Sequence, residues 1–190
     1  MRPVVAYLTL ANQLTMLRVA LAPVFVLAVV YGYLGGALVA FLVAGATDAL
    51  DGLIARRTGQ RTSLGAWLDP LADKLLLVST FIVLTVPGIP LTNHLPVWLT
   101  VIVISRDICI LCVVAVVNLA VGPKTFSPSQ LGKWATAAFI LTTIVVMYFN
   151  YLEETSVLID AGIWVSFLLT LASSADYAFR LRRLIGEPAA

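Results

Sequence analysis

The residues best suited to do chemistry in this sequence are four aspartates in the segment Asp48–Asp73, D-A-L-D-G-L-I-A-R-R-T-G-Q-R-T-S-L-G-A-W-L-D-P-L-A-D. Asp48 and Asp51 are three residues apart, Asp69 and Asp73 four apart. Both spacings stack side chains on one face of an α-helix. The polar stretch Thr58–Thr62 separates the pairs and predicts a helical hairpin turning near Gln60. In an antiparallel hairpin, equal distance from the turn means equal depth. Asp51 and Asp69 each lie nine residues from Gln60, Asp48 twelve before it and Asp73 thirteen after. Four carboxylates are thereby expected at one level. The segment holds neither His nor Cys. Hard oxygen ligands favour Mg²⁺ or Mn²⁺ over Zn²⁺. Four carboxylates have room for two such ions, an arrangement suited to clamping a diphosphate during in-line displacement at phosphorus.

The elements that must position them are membrane helices. Of 190 residues only 12% are charged, about half the share of a soluble domain. Long runs such as Val19–Leu34, Leu75–Val86, Ile108–Val121 and Ala135–Phe149 are almost free of ionisable groups. With their flanks they reach the ~20 residues a membrane helix needs. The expected fold is all-α, one polytopic membrane domain over residues 1–190. Six transmembrane helices are expected at Asn12–Tyr33, Gly35–Thr58, Ser63–Val86, Pro96–Val121, Ser127–Asn150 and Val157–Leu184. Arg18 interrupts the first apolar run, unlike the h-region of a cleaved signal peptide, so Met1 onward is read as retained. Residues Arg2–Leu10 suit an interfacial position.

Basic residues fall on alternate connections. Arg2 precedes the first helix; Arg56, Arg57 and Arg61 mark the second connection, Lys124 and Lys133 the fourth, and Arg180, Arg182 and Arg183 the tail. The first, third and fifth connections have none, so both termini are expected to be cytoplasmic, with the aspartates near that side. An aspartate at the centre of a membrane helix costs roughly 2.5–3.5 kcal/mol, so such a cluster calls for compensation by protons or divalent cations. One or two acids would suit polar helix packing with Lys74 and Arg57 as partners; four at matched depth argue against it. A cation- or proton-coupled transporter is the alternative from another class, since membrane acids also mark ion paths. It predicts acids spread over several helices rather than one hairpin. The net charge of +2 does not argue for a nucleic-acid partner. Cys109 and Cys112 form a lone C-x-x-C within one apolar helix and are read as packing residues rather than ligands.

Gly52, Ala55 and Gly65 lie on turns adjacent to the acids, where small residues allow a ligand or helix close approach, and Arg56 stands at the cytoplasmic mouth, placed to meet phosphate oxygens. Together these residues resemble the CDP-alcohol phosphatidyltransferase signature, D-x-x-D-G-x-x-A-R, eight residues, then G-x-x-x-D-x-x-x-D. Every fixed position is matched, by Asp48, Asp51, Gly52, Ala55, Arg56, Gly65, Asp69 and Asp73. Asn12-Gln13-Leu14-Thr15 with Arg18 and Pro23 is also similar to the family's first helix. The resemblance implies a CDP-linked lipid donor, CDP-diacylglycerol, with CMP as leaving group. It implies metal binding by Asp48, Asp51 and Asp69, and by Asp73, which would also be the general base on the acceptor hydroxyl. Gly52, Ala55, Arg56, Thr62 and Gly65 would contact the nucleotide or diphosphate, with Asn12 and Thr15 closing that pocket.

The acceptor is read from the remaining buried charges. Arg106 and Lys133 could build a phosphate pocket, or Arg106 could form a structural ion pair with Asp107. Ser105-Arg106-Asp107 and Pro128–Lys133 (P-S-Q-L-G-K) resemble the branch of phosphatidylglycerophosphate synthases and CDP-dependent cardiolipin synthases. The former typically carry Arg-Glu in place of Arg106-Asp107, and often a second lysine in place of Ala135. Two cations favour glycerol-3-phosphate as acceptor, giving phosphatidylglycerophosphate; phosphatidylglycerol, giving cardiolipin, is the alternative. Monomer and homodimer both stay open.

Overall fold

The computed structural model describes the backbone of residues 10–58, 63–121 and 129–186, and side chains at 13–48, 50, 71–112 and 129–179. Among these residues the protein is all-helical. Six helices run α1 (Leu10–Val30), α2 (Leu34–Thr58), α3 (Ser63–Thr85), α4 (Val97–Val121), α5 (Gln130–Tyr151) and α6 (Val157–Gly186). Each expected helix is present within three residues at either end. α1 stops short of Tyr33 because Gly32 takes the left-handed conformation, φ 76°. Its N–H reaches Val29 O, and Tyr33 N–H reaches Ala28 O at 2.8 Å. This is the double hydrogen bond of a glycine-terminated helix. α4 begins after Pro96, whose carbonyl accepts from Leu99 N–H. The expected start at Ser127 lies outside the described residues.

Among the described residues three helical segments, Gln13–Val30, Gln130–Tyr151 and Val157–Phe179, are long and apolar enough to cross a membrane. Among the described side chains α2 contributes the apolar segment Leu34–Asp48. Helices are the natural spanning element because each satisfies its own backbone hydrogen bonds away from water. Large apolar side chains are exposed along them, including Met16, Val24 and Leu27 on α1 and Leu158, Trp164 and Leu168 on α6. Such surface suits lipid rather than water.

The chain divides into two compact units, residues Met1–His94 with Val146–Thr155, and Leu95–Val145 with Ser156–Ala190. In the first, α1 packs against both α2 and α3. Its buried stripe runs Thr15, Arg18, Ala22, Phe25, Val29, the spacing of one helical face. α2 buries Ala37, Phe41 and Ala44, and α3 buries Ala72, Leu76, Thr80 and Leu84. The rings of Phe25 and Phe41 meet at 5.8 Å. Far along the chain, fully buried Asn150 ties the connection before α4 to the end of α5: Asn93 N–H donates to its Oδ1 at 2.7 Å, and its Nδ2 donates to Asn93 O at 2.9 Å.

In the second unit α6 presents a small polar stripe, Ser166, Thr170 and Ser173, all fully buried. Thr142 of α5 donates to Gly162 O at 3.0 Å and lies 3.0 Å from the Ser166 hydroxyl. A Cβ at Gly162 would come within 2.9 Å of Thr142 Oγ1. Close backbone approach with hydroxyl bonding is how membrane helices associate without a hydrophobic driving force. Trp98, Trp164 and Phe167 form a cluster near the starts of α4 and α6, with ring centroids 5.3–5.9 Å apart. Cys109 and Cys112 are free, exposed thiols on α4.

Candidate active site

The first unit brings two of the four aspartates to one point. Asp48 comes from α2 and Asp73 from α3, twenty-five positions apart in sequence. Both meet the guanidinium of Arg18 from α1: Nη2 lies 3.2 Å from Asp48 Oδ1 and Nη1 lies 2.5 Å from Asp73 Oδ1. The two carboxylates expected at similar depth thus come within reach of one guanidinium. Arg18 is 1% exposed, whereas the carboxyl side chains are 50% and 40% exposed. A buried unpaired cation costs several kcal/mol, and two charge-assisted bonds offset that penalty. The guanidinium is therefore held from behind while the carboxylates keep open surface in front.

Asp51 and Asp69 lie on α2 and α3, with their side chains outside the described residues. The same is true of Gly52, Ala55 and Arg56 on α2, Gly65 on α3 and Asn12 on α1, while Thr62 falls in a stretch that is outside them altogether. Thr15 is fully buried on α1, one turn before Arg18. Among the described residues no group of three or more acidic, His or Cys side chains gathers. Asp48 and Asp73 nevertheless fit a divalent cation. Both offer hard carboxylate oxygens, and with side chains 50% and 40% exposed both keep surface open to an ion.

The second unit holds a separate cluster around Arg106, which is 8% exposed. Its Nη1 bonds Asp107 Oδ1 at 2.7 Å. Neighbouring residues leave a helix in different directions, yet the long arginine side chain turns back far enough to close the pair. The guanidinium carbon sits 5.9 Å from the Tyr177 ring centroid, at the edge of cation–π range. Tyr177 Oη accepts from Ser129 N–H at 3.3 Å. Ser129 Oγ accepts from Gly132 N–H at 2.9 Å, which makes Ser129 the N-cap of α5. A Cβ at Gly132 would lie 3.2 Å from both Arg106 Nη2 and Ser129 Oγ and would crowd them by a few tenths of an ångström. Lys133 follows in the first turn and is exposed. Arginine, lysine and the positive end of a 22-residue helix thus share one locality, a setting that favours anions. Arg106 Nε is buried with no hydrogen-bond partner among the described residues.

Comparison with known proteins decides the class. The family model for CDP-alcohol phosphatidyltransferases matches residues 8–172. The chain belongs to the CDP-alcohol phosphatidyltransferase family. Similar proteins include a probable phosphatidylglycerophosphate synthase of Mycobacterium tuberculosis (strain ATCC 25618 / H37Rv), 36% identical over 93% of this chain and 83% of the relative. The human cardiolipin synthase (CMP-forming) is 32% identical over 88% of this chain and 59% of the relative. A Bacillus subtilis CDP-diacylglycerol–glycerol-3-phosphate 3-phosphatidyltransferase is 29% identical over 88% of this chain and 92% of the relative. This phosphatidyltransferase is a membrane enzyme of phospholipid biosynthesis, and its family is generally dependent on divalent metal ions. Sequence reasoning did not assign roles to Arg18, Ser129 or Tyr177. The signal for Arg18 was its place on the same helical stripe as Thr15 and Ala22. Ser129 and Tyr177 are joined only by tertiary folding.

Proposed function

We propose that the chain transfers the phosphatidyl group of CDP-diacylglycerol to glycerol-3-phosphate, forming phosphatidylglycerophosphate and CMP. The observation that carries the acceptor is the locality of Arg106, Lys133 and the Ser129-capped N-terminus of α5. A phosphate monoester bears close to two negative charges at pH 7, and such a locality offsets them where a neutral polyol would leave the cations uncompensated. Asp48, Asp51, Asp69 and Asp73 would hold the metal, Mg²⁺ or Mn²⁺ and two ions if all four contribute. When bound, the metal supplies positive charge against the diphosphate as it breaks. Asp73 would take the proton of the acceptor hydroxyl. The freed oxygen forms its bond to the phosphorus that carries diacylglycerol, and the phosphoanhydride bond to CMP breaks, CMP leaving with the electron pair. Asn12, Thr15, Gly52, Ala55, Arg56, Thr62 and Gly65 would hold the nucleotide and diphosphate. The charge alternation of the connections supports one six-span domain over residues 1–190, both termini and the site's opening on the cytoplasmic side.

A second reading takes phosphatidylglycerol as acceptor, with cardiolipin as product. The Arg106–Asp107 pair favours it, because Asp107 offsets one of the two cations and leaves a balance suited to a singly charged phosphodiester. Ala135, where a second lysine is common in phosphatidylglycerophosphate synthases, is fully buried.

The test is turnover of purified protein with CDP-diacylglycerol and each acceptor in turn, in wild type and in Arg106→Gln and Lys133→Gln. Each substitution is expected to raise KM for glycerol-3-phosphate roughly 10-fold or more, as for a lost charged hydrogen bond of about 1.5–3 kcal/mol. Wild-type protein that ignores glycerol-3-phosphate but makes cardiolipin would overturn the first reading in favour of the second.

A further inference from the structure

The residue that ties α1 to the aspartate hairpin is also the one that sets its charge. Arg18 is 1% exposed and bonds one oxygen from each of two carboxylates on different helices. An arginine stays protonated at any working pH, so its positive charge is a permanent part of the site. A divalent cation on Asp48 or Asp73 must sit close to that guanidinium, in surroundings where like charges repel far more than in water. Four aspartates with two divalent ions would balance to zero, and such a site would load and keep its ions with no substrate present. With Arg18 the loaded site carries one positive charge too many. A diphosphate diester brings two negative charges, which more than offset that excess.

Resting on the metal reading above, we infer that Arg18 is a positioning residue and resident counter-cation: it holds Asp48 and Asp73 in register when the site is unloaded, weakens divalent binding there, and so couples ion loading to arrival of the diphosphate donor. The arginine acts through the two carboxylates that it bonds.

The experiment is Mn²⁺ binding followed by electron paramagnetic resonance on purified, detergent-solubilised protein, with and without CDP, in wild type, Arg18→Gln and Arg18→Lys. Wild type is expected to bind Mn²⁺ more tightly when CDP is present. Arg18→Gln should bind Mn²⁺ without CDP about 10-fold more tightly than wild type or better, as loss of one nearby like charge implies. CDP should then add less, while turnover falls because the carboxylates are no longer held. A merely structural role would weaken ion binding together with turnover. Arg18→Lys keeps the charge and loses the planar fork, and should bind Mn²⁺ within about threefold of wild type. Arg18→Gln recovered only in the presence of divalent cation, and unfolded by chelator, is the expected behaviour of carboxylates without their counter-cation. If Arg18→Gln is lost under every condition, Arg18→Lys decides, and a change of about 10-fold or more in its Mn²⁺ affinity overturns the inference. Unchanged or weaker Mn²⁺ binding by folded Arg18→Gln also overturns it. Wild-type protein that binds no Mn²⁺ with or without CDP sinks the metal reading itself, which separates the two failures.

Discussion

Arg18, Asp48 and Asp73 show what spacing along a chain can and cannot tell. Matched distances from a turn placed the two carboxylates at one depth, and the structure brings both to one guanidinium. Nothing in the spacing said which helix would cover them. That α1 does so follows from its buried stripe, where Thr15 and Arg18 continue the line of Ala22, Phe25 and Val29. Arg106 was legible as a deep charge, but its approach to Tyr177, whose hydroxyl accepts from Ser129 forty-eight positions earlier, was not. Each aspartate in the matched signature is expected to be indispensable. Asp48→Asn, Asp51→Asn, Asp69→Asn and Asp73→Asn keep the shape and remove the charge, so each should slow CMP release from CDP-diacylglycerol at least about 100-fold. Near-normal rates in any two of these folded variants would remove the aspartates from the chemistry.

At the scale of elements, the six helices were legible because apolar runs, glycines, prolines and polar turns punctuate the chain at membrane-helix intervals. Local devices set the ends that are described: left-handed Gly32 closes α1 early, α4 begins after Pro96, and Ser129 caps α5. How α5 and α6 meet was not legible, since Gly162 and Thr142 become a contact only once the helices pack. Their contact is tight enough to test. A leucine at Gly162 must displace Thr142, whose hydroxyl already lies 2.9 Å from the position of the first added carbon. Overpacking of this kind costs about 1–3 kcal/mol, and loss of the bond from Thr142 to Gly162 O adds to it. Gly162→Leu should therefore lower the melting temperature of the detergent-solubilised protein by several degrees. An unshifted melting curve would mean that α5 and α6 do not approach at this point.

For the whole molecule, class and chemistry came from features that one sequence carries in full: too little charge for a water-facing surface, and a complete eight-residue signature. The acceptor is harder to read, because glycerol-3-phosphate and phosphatidylglycerol present the same two handles, a phosphate and a glycerol hydroxyl. Their difference lies in charge balance around Arg106, where Asp107 and the α5 N-terminus act in opposite senses. The central claim is phosphatidyl transfer that requires divalent cations at a site open to the cytoplasm. Its most direct test is CMP release in sealed membrane vesicles with the cytoplasmic face outward, supplied with CDP-diacylglycerol and acceptor. External EDTA, which does not cross the bilayer, should abolish turnover, and excess Mg²⁺ or Mn²⁺ should restore it. Turnover that survives EDTA until detergent opens the vesicles would reverse the orientation alone; turnover that survives even then would contradict the account.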